Sequence, residues 1–292
     1  MKQPIELRKL RDFGQVINDA FGFFKENFKV LIKSLLIICG FFLLMGTVTT
    51  TFTYMNMSYM YSGGLNNVDS FQSHGIPYLI SVLINSLVLV LTQASIHLVT
   101  LCYISVYLQK NNTKPTFAEV WAYFKYYFFR VVGSGLLIII LTCVAFVLCI
   151  IPAFYVMPIF YLIIPIIVIE NSSFSYAWNK SFRIIKNNWW FTFGVIFIMG
   201  IIVGSADGIA SLPLSLIGIL SKYLSLKSFT LPLIILFSIL HNLIILAYCI
   251  PAIAITLCYF DLSEQKEGTG IMDRIANFGK TDNTPNLPAE EY

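Results

Sequence analysis

Residues Pro152–Phe193 read PAFYVMPIFYLIIPIIVIENSSFSYAWNKSFRIIKNNWWFTF. From Pro152 to Ile169 no charged side chain intrudes, and the run approaches the 20 or so apolar residues needed to cross a hydrocarbon core of about 30 Å. Glu170-Asn171 stops it. Asn171-Ser172-Ser173 then offers side-chain oxygens to the orphan amides of a helix start, and the spacing that follows predicts an amphipathic helix. Phe174, Trp178, Phe182 and Ile185 fall on one face, with Asn179, Lys180, Arg183 and Lys186 on the other. Trp189-Trp190 opens another apolar run, at the depth where aromatic belts sit. One stretch thus holds a span, a surface helix and the start of a second span. The pattern predicts an all-α, polytopic membrane protein.

The rest of the chain agrees. Of 292 residues, 57% are hydrophobic and 12% charged, about half the roughly 25% charged residues of a soluble domain. Mean hydropathy is +0.77. Basic residues sit in short clusters beside apolar runs rather than on a domain of their own, which argues against nucleic-acid binding. Cys39, Cys102, Cys143, Cys149, Cys249 and Cys258 all lie in or beside apolar segments, and none forms a C-x-x-C pair. They read as small buried apolar side chains. The first long apolar run starts near Phe28, too deep for a cleavable signal.

Six spans are expected: Val30–Tyr54, Pro77–Leu108, a tight hairpin of Val131–Ile151 and Ala153–Ile169 around Pro152, Trp189–Ala206, and Phe229–Phe260. Asp12 with Gln15, and Thr116 with Glu119, form capping arrangements ahead of the first and third. Met55–Ile76, with Gly63-Gly64 and Asn66-Asn67, reads as a loop. Asp207–Ser228, interrupted by Pro213 and Gly218, reads as an interfacial or re-entrant connector. Residues 1–279 form one membrane domain, and the polar tail 280–292 reads as disordered. Seven Lys/Arg precede or open the first span, four lie between the second and third, three between the fourth and fifth, and three after the sixth. Only Lys222 and Lys227 fall on the other side. The positive-inside rule then places both termini in the cytoplasm of a multi-pass protein of the cytoplasmic (inner) membrane.

An internal repeat runs through this plan. With Phe13, Phe117 and Phe174 in register, Ile17, Trp121 and Trp178 follow four residues on, and Phe24, Phe128 and Ile185 eleven residues on. The first and third copies also share Asn18/Asn179, Phe21/Phe182, Lys25/Lys186 and Asn27/Asn188. Each copy precedes a pair of spans, which predicts three parallel units of amphipathic interfacial helix plus membrane hairpin, at about 12–108, 116–169 and 173–260. Such helices set the depth of the spans. Their Lys25, Lys125, Lys180, Arg183 and Lys186, with Trp189, are the expected contacts to membrane lipids, anionic headgroups in particular, or to a membrane-protein partner.

The run from Pro152 to Trp190 resembles the membrane-domain family related to the integral membrane part of glycerophosphoryl diester phosphodiesterases. The likeness rests on a proline-bearing span, then Glu170, then Ala177, Ser181 and Phe182 in an A-x-x-x-S-aromatic pattern, then Lys186 and Trp189. Lys114-Pro115-Thr116-Phe117 and the closing Tyr259-Phe260-Asp261, with Lys266-Glu267-Gly268, extend it over most of the chain. Enzymatic members of that family owe their chemistry to a separate hydrolase barrel, for which this chain has no room. The resemblance therefore implies a membrane domain and no activity.

Polar side chains deep in spans are the default functional candidates, because hydrocarbon leaves them unsolvated. The second span carries Asn85, Gln93 and His97, and the sixth carries His241-Asn242. A contact between the two would bury a His/Gln/Asn cluster at mid-membrane, serving helix packing or a permeation path. Pro158 and Pro165 in the fourth span, and Pro251 in the sixth, are candidate kinks. No paired carboxylates and no G-x-S-x-G pattern mark a catalytic site, and no cofactor or metal is expected. The sequence thus points to a non-enzymatic integral membrane protein that organises lipid or protein partners at the cytoplasmic face. The alternative is a transporter or exporter of an apolar or lipid-like solute.

Overall fold

The structure is a computed structural model and describes residues 5–63, 71–110, 112–148, 150–220 and 227–268. Among these residues the regular secondary structure is helix alone. Helices begin where capping chemistry places them. Gln15 N donates to Asp12 Oδ1 at 2.7 Å and Asp12 N to Gln15 Oε1 at 3.3 Å, a reciprocal box that starts α1, Phe13–Gly63. After α2, Ile76–Gln109, Thr116 N donates to Glu119 Oε2 at 2.7 Å at the head of α3, Phe117–Leu148. Helix α4 is Ile150–Ile169. Ser173 caps α5, Phe174–Ile185, by accepting from Tyr176 N. Then follow α6, Trp189–Leu220, α7, Lys227–Ile244, a 3₁₀ turn at Ile245–Tyr248, and α8, Cys249–Glu267. On one side of the molecule the turns after α2, α4 and α5 use Asn112, Asn171 and Asn187 at positive φ, a conformation asparagine tolerates better than other side chains.

Five helical stretches are long and apolar enough to cross a membrane: Phe13–Tyr61, Phe71–Gln109, Phe117–Val147, Trp189–Ile219 and Thr230–Glu267. Ala153–Ile169 belongs to a shorter class of apolar helices. It nonetheless retraces α3. Phe146 and Phe154 meet edge to face with centroids 6.4 Å apart, and at the other end Arg130 Nη1 donates to Asn171 Oδ1 at 2.9 Å. A helical hairpin is therefore present near the expected place, with Pro152 inside α4 rather than between the two helices; residue 149 lies outside the described residues.

Three expected boundaries are corrected. The surface segment at Phe13 and the span at Val30 are one helix, and so are the segment at Phe117 and the span at Val131. Nothing between Phe28 and Val30 breaks a helix, since lysines at four-residue spacing only colour one face. Of the three expected surface helices, α5 alone is a separate element. The loop expected over Met55–Ile76 is helical as far as Gly63 and again from Phe71, where a π-turn leads into α2. The connector expected over Asp207–Ser228 is the continuation of α6 to Leu220, with Pro213 inside it; residues 221–226 lie outside the described residues. The tail expected to be disordered lies outside them as well.

Helix α1 is also not straight. Phe13 packs against the Cβ position of Gly194, and Met57 against that of Gly218. These anchors are about 66 Å apart along a straight α1 but only about 36 Å apart along α6, at 1.5 Å per residue. Side-chain reach does not close that gap, so α1 bends between its two anchors.

Packing is uneven along the helices. Every residue of α8 from Cys249 to Glu264 is buried, an all-round burial that marks the centre of a bundle. It packs against α1, α2, α4, α5 and α6. Residues Leu98–Tyr107 of α2 are buried too, whereas Leu83 and Leu87, nearer its start, are 70% and 63% exposed. One half of the molecule is a dense core around α8. The other presents apolar side chains outward, as lipid-facing surface would.

This asymmetry sets the cost of substitution. Ala254→Leu adds three carbons at a fully buried site and is expected to destabilise by about 1–3 kcal/mol through overpacking. Leu83→Ala, on the exposed surface, is expected to cost less than about 0.5 kcal/mol. Thermal unfolding of the two variants in the same detergent measures the contrast.

Candidate functional site

Two polar systems run through this bundle. The first closes its dense end. Lys180, on α5, is 5% exposed and reaches Glu170 Oε1 at 2.6 Å and Glu267 Oε2 at 2.7 Å. Arg183 Nη2 meets Glu267 Oε1 at 2.8 Å. The Tyr259 hydroxyl donates to Glu170 Oε1, and Ser263 Oγ to Glu267 Oε2 at 3.2 Å. One turn around α8, Asp261, with no exposed surface, accepts from Arg11 N at 2.8 Å and from Gln265 Nε2 at 2.9 Å. Gln265 Oε1 in turn accepts from Asn188 Nδ2 at 2.8 Å. Arg11 also pairs with Asp19 at 3.0 Å and donates to the carbonyls of Glu6, Leu7 and Lys9. Four-residue spacing on α8 makes this possible, because Tyr259, Ser263 and Glu267 fall on one face and Asp261 and Gln265 on the next.

Burial alone would lower the Lys180 pKa, but hydrogen bonds and charge contacts with Glu170 and Glu267 outweigh it and hold it above the ordinary 10.5. A raised folded-state pKa contributes stability that is complete below the unfolded value and lost as pH rises through the folded one. The Lys180 linkage therefore persists through neutral pH and weakens in strong alkali as Lys180 loses its proton, and in acid as its carboxylate partners gain one. Lys180 is thus committed within the protein. For Lys180 the sequence expectation of a lipid or partner contact is corrected, because both acids that hold it come from outside its own helix; Arg183 pairs with Glu267 but keeps an exposed side chain. Trp189 is committed as well. Its Nε1 donates to Tyr155 O at 2.8 Å, and its ring stacks on Tyr155 and Phe193. Tyr155 is three residues before Pro158, so Trp189 supplies a donor beside the turn of α4 from which this proline removes one. Pro165 is buried in α4 with Pro158, and Pro251 follows directly on the 3₁₀ turn, which relieves the clash of its ring with the preceding turn. Lys125 stands 5.7 Å from the Trp121 ring, and Lys25 and Lys186 are exposed.

The second system lies in the sparser half. Thr49 Oγ1 and Thr50 Oγ1, on α1, donate to Asn85 Oδ1 at 2.9 and 3.1 Å. Asn242 Nδ2 donates to Thr50 Oγ1 at 3.3 Å and to Ser238 O at 3.0 Å. Asn85 and Asn242 are therefore joined through Thr50 and not directly. Gln93 bonds Tyr248. His241 Nε2 lies 3.2 Å from Asp207 Oδ1, so the acid expected at the edge of a span faces a buried histidine. His97 is half-buried and makes no hydrogen bond to any of these groups.

The expected single cluster of Asn85, Gln93, His97, His241 and Asn242 is thus split. Its reason is register. Tyr248 sits level with Gln93, so His241 rises about 10 Å towards one end and His97 drops about 6 Å towards the other. Three buried atoms on α7 have no hydrogen-bond partner among the described residues: Ser238 Oγ, His241 Nδ1 and Asn242 Oδ1. Among those residues, no group of three or more His, Cys, Asp or Glu is placed to hold a metal ion.

A third feature is a cleft of about 740 Å³ between α1 and the turn after α2, lined by Phe21, Phe24, Lys25, Glu26, Phe28, Lys29 and Lys114. Of its three lysines, the sequence reading singled out Lys25 alone. The run Lys25, Lys29, Lys33 at helical spacing signalled a basic face; Lys114 arrives from 88 positions away and carries no local signal. No protein-family model, curated protein or solved structure matches the chain, so these comparisons do not link it to the membrane domain that its sequence resembles.

Two variants test the polar systems. Lys180→Met leaves two acids facing each other in a largely buried site and is expected to destabilise by about 3 kcal/mol, read as a lowered melting temperature that Lys180→Arg largely restores. Gly46→Ala brings a Cβ to 2.3 Å from Asn242 Oδ1. It is expected to cost about 1–3 kcal/mol, and Asn242→Ala in the same chain should recover most of it, a coupling that a double-mutant cycle measures.

Proposed function

We propose that this chain is a six-span protein of the cytoplasmic membrane, with both termini cytoplasmic, that acts without catalysis as a platform for anionic lipid at the cytoplasmic face. The return of α4 to the level of Arg130 supports a sixth crossing, because whatever α3 crosses beyond that residue α4 recrosses. The placement of Lys and Arg supports the orientation. One observation carries the function. The dense end consumes Arg11 and Lys180 in buried internal pairs, while Lys25, Lys29, Lys114, Lys125, Arg183 and Lys186 stay exposed around it. A rigid base with exposed cations at its rim attracts the negative surface of a leaflet at about 1 kcal/mol per cation.

Reconstitution with brominated phosphatidylglycerol or brominated phosphatidylcholine tests this reading. Tryptophan fluorescence should be quenched at a several-fold lower mole fraction of the anionic lipid. Equal quenching by the two lipids would remove the platform.

A second reading rests on the unpartnered Ser238, His241 and Asn242 atoms beside Asp207. Such groups within a membrane mark polar pathways, and on this reading the chain moves a lipid-like solute with a polar head. Transbilayer movement of a fluorescent phospholipid in proteoliposomes separates the two readings. Transport requires movement faster than in empty liposomes, slowed at least tenfold by Asp207→Asn with His241→Ala; the platform requires no acceleration.

A further inference from the structure

We infer that the cleft between α1 and the turn after α2 is a built site for the headgroup of one anionic phospholipid. The inference rests on the platform reading only in placing this face at the cytoplasmic leaflet.

Helical spacing forms one wall. Phe21, Lys25 and Phe28 recur at intervals of four and three, and Phe24, Phe28 and Lys29 continue the same face. Phe24 and Phe28 pack edge to face with centroids 5.3 Å apart. Phe28 remains 49% exposed and Phe21 37%, which gives the cleft an apolar floor as well as a charged rim. Lys114 forms the opposite wall. Its Nζ donates to the carbonyl oxygen of Glu26 at 2.9 Å, which fixes the ammonium group while leaving two of its three donors. Pro115, buried next to it, holds the backbone from which the side chain reaches.

Three lysines and one glutamate, Glu26, line this space, so the cleft favours a net negative occupant. A free phosphate would use the lysines and leave the phenylalanines in water. A phospholipid uses both, with its phosphate among Lys25, Lys29 and Lys114 and the upper part of its acyl chains over Phe21, Phe24 and Phe28. A glycerol headgroup adds hydroxyl donors for Glu26. This combination of charge and exposed aromatic surface commits the cleft to a lipid such as phosphatidylglycerol.

The test uses the full chain, delipidated in a neutral detergent, with lipid retention followed by native mass spectrometry and stability by thermal unfolding. Added phosphatidylglycerol should be retained at one molecule per chain and should raise the melting temperature. The variant Lys25→Gln/Lys29→Gln/Lys114→Gln should bind it at least tenfold more weakly. Lys9→Gln/Lys33→Gln/Lys266→Gln, with the same loss of charge at residues that do not line the cleft, should bind it as the native chain does.

The site is overturned by equal retention in the two triple variants, by equal stabilisation with phosphatidylcholine, or by millimolar inorganic phosphate reproducing the effect of the lipid. Equal retention alongside a persistent preference for brominated phosphatidylglycerol would remove the cleft and leave the platform. Loss of that preference in the native chain would remove the platform itself.

Discussion

A helix that carries acids cannot be buried on every side unless each acid finds a partner, because an unpaired charge in a dry interior costs several kcal/mol. Helix α8 accepts that constraint at its last turns. Asp261 and Glu267 are placed where the rest of the chain must come to them, and it does so from four directions. The N-terminal segment delivers Arg11, the end of α4 delivers Glu170 to share Lys180, α5 delivers Lys180 and Arg183, and the start of α6 adds Asn188 through Gln265. The apolar packing above them lacks direction. These contacts give it one, since a rotation of α8 by one residue would separate each acid from the donors it meets.

That division explains what could be read in the sequence. Local chemistry was legible because it needs only neighbours. The box at Asp12–Gln15, the bond from Thr116 N to the Glu119 carboxylate and the cap at Ser173 lie within four residues, and the structure forms each of them. Apolar length identified the spanning helices, and the short turn near Pro152 identified the hairpin. What could not be read depends on register between distant helices. Asn85 and Asn242 are joined through Thr50, a residue no pattern distinguishes from the other threonines of α1. His97 and His241 share a membrane but not a level. Lys180 looked free because its second acid is 87 positions away. The same applies to helix ends: a basic face between Lys25 and Lys33 looks like a boundary, yet nothing in it stops a helix, and Pro213 sits within α6 without ending it.

The polar groups of the two halves behave differently for the same physical reason. Around α8, almost every buried donor and acceptor is matched, as a low-dielectric interior requires. On α7, Ser238 Oγ, His241 Nδ1 and Asn242 Oδ1 are left over within five residues, next to the His241–Asp207 contact and to Gly46, whose missing side chain lets Asn242 approach α1. The dense half resembles a soluble core in its accounting of hydrogen bonds. The sparse half keeps polar capacity in reserve.

The hydrogen bond from Arg11 to Asp261 joins residues 250 positions apart. It therefore sets an order of assembly. A chain inserted into a membrane during synthesis gains its helices one hairpin at a time, and here the pillar of the bundle is among the last to be made. Until α8 arrives, α1, α2, α4 and α6 surround an empty centre, and the amino-terminal strap has nothing to close upon. Biogenesis of this protein thus passes through a half-built ring whose inner wall is exposed to lipid or to whatever escorts it, and the ring is completed by a latch whose two parts were synthesised furthest apart.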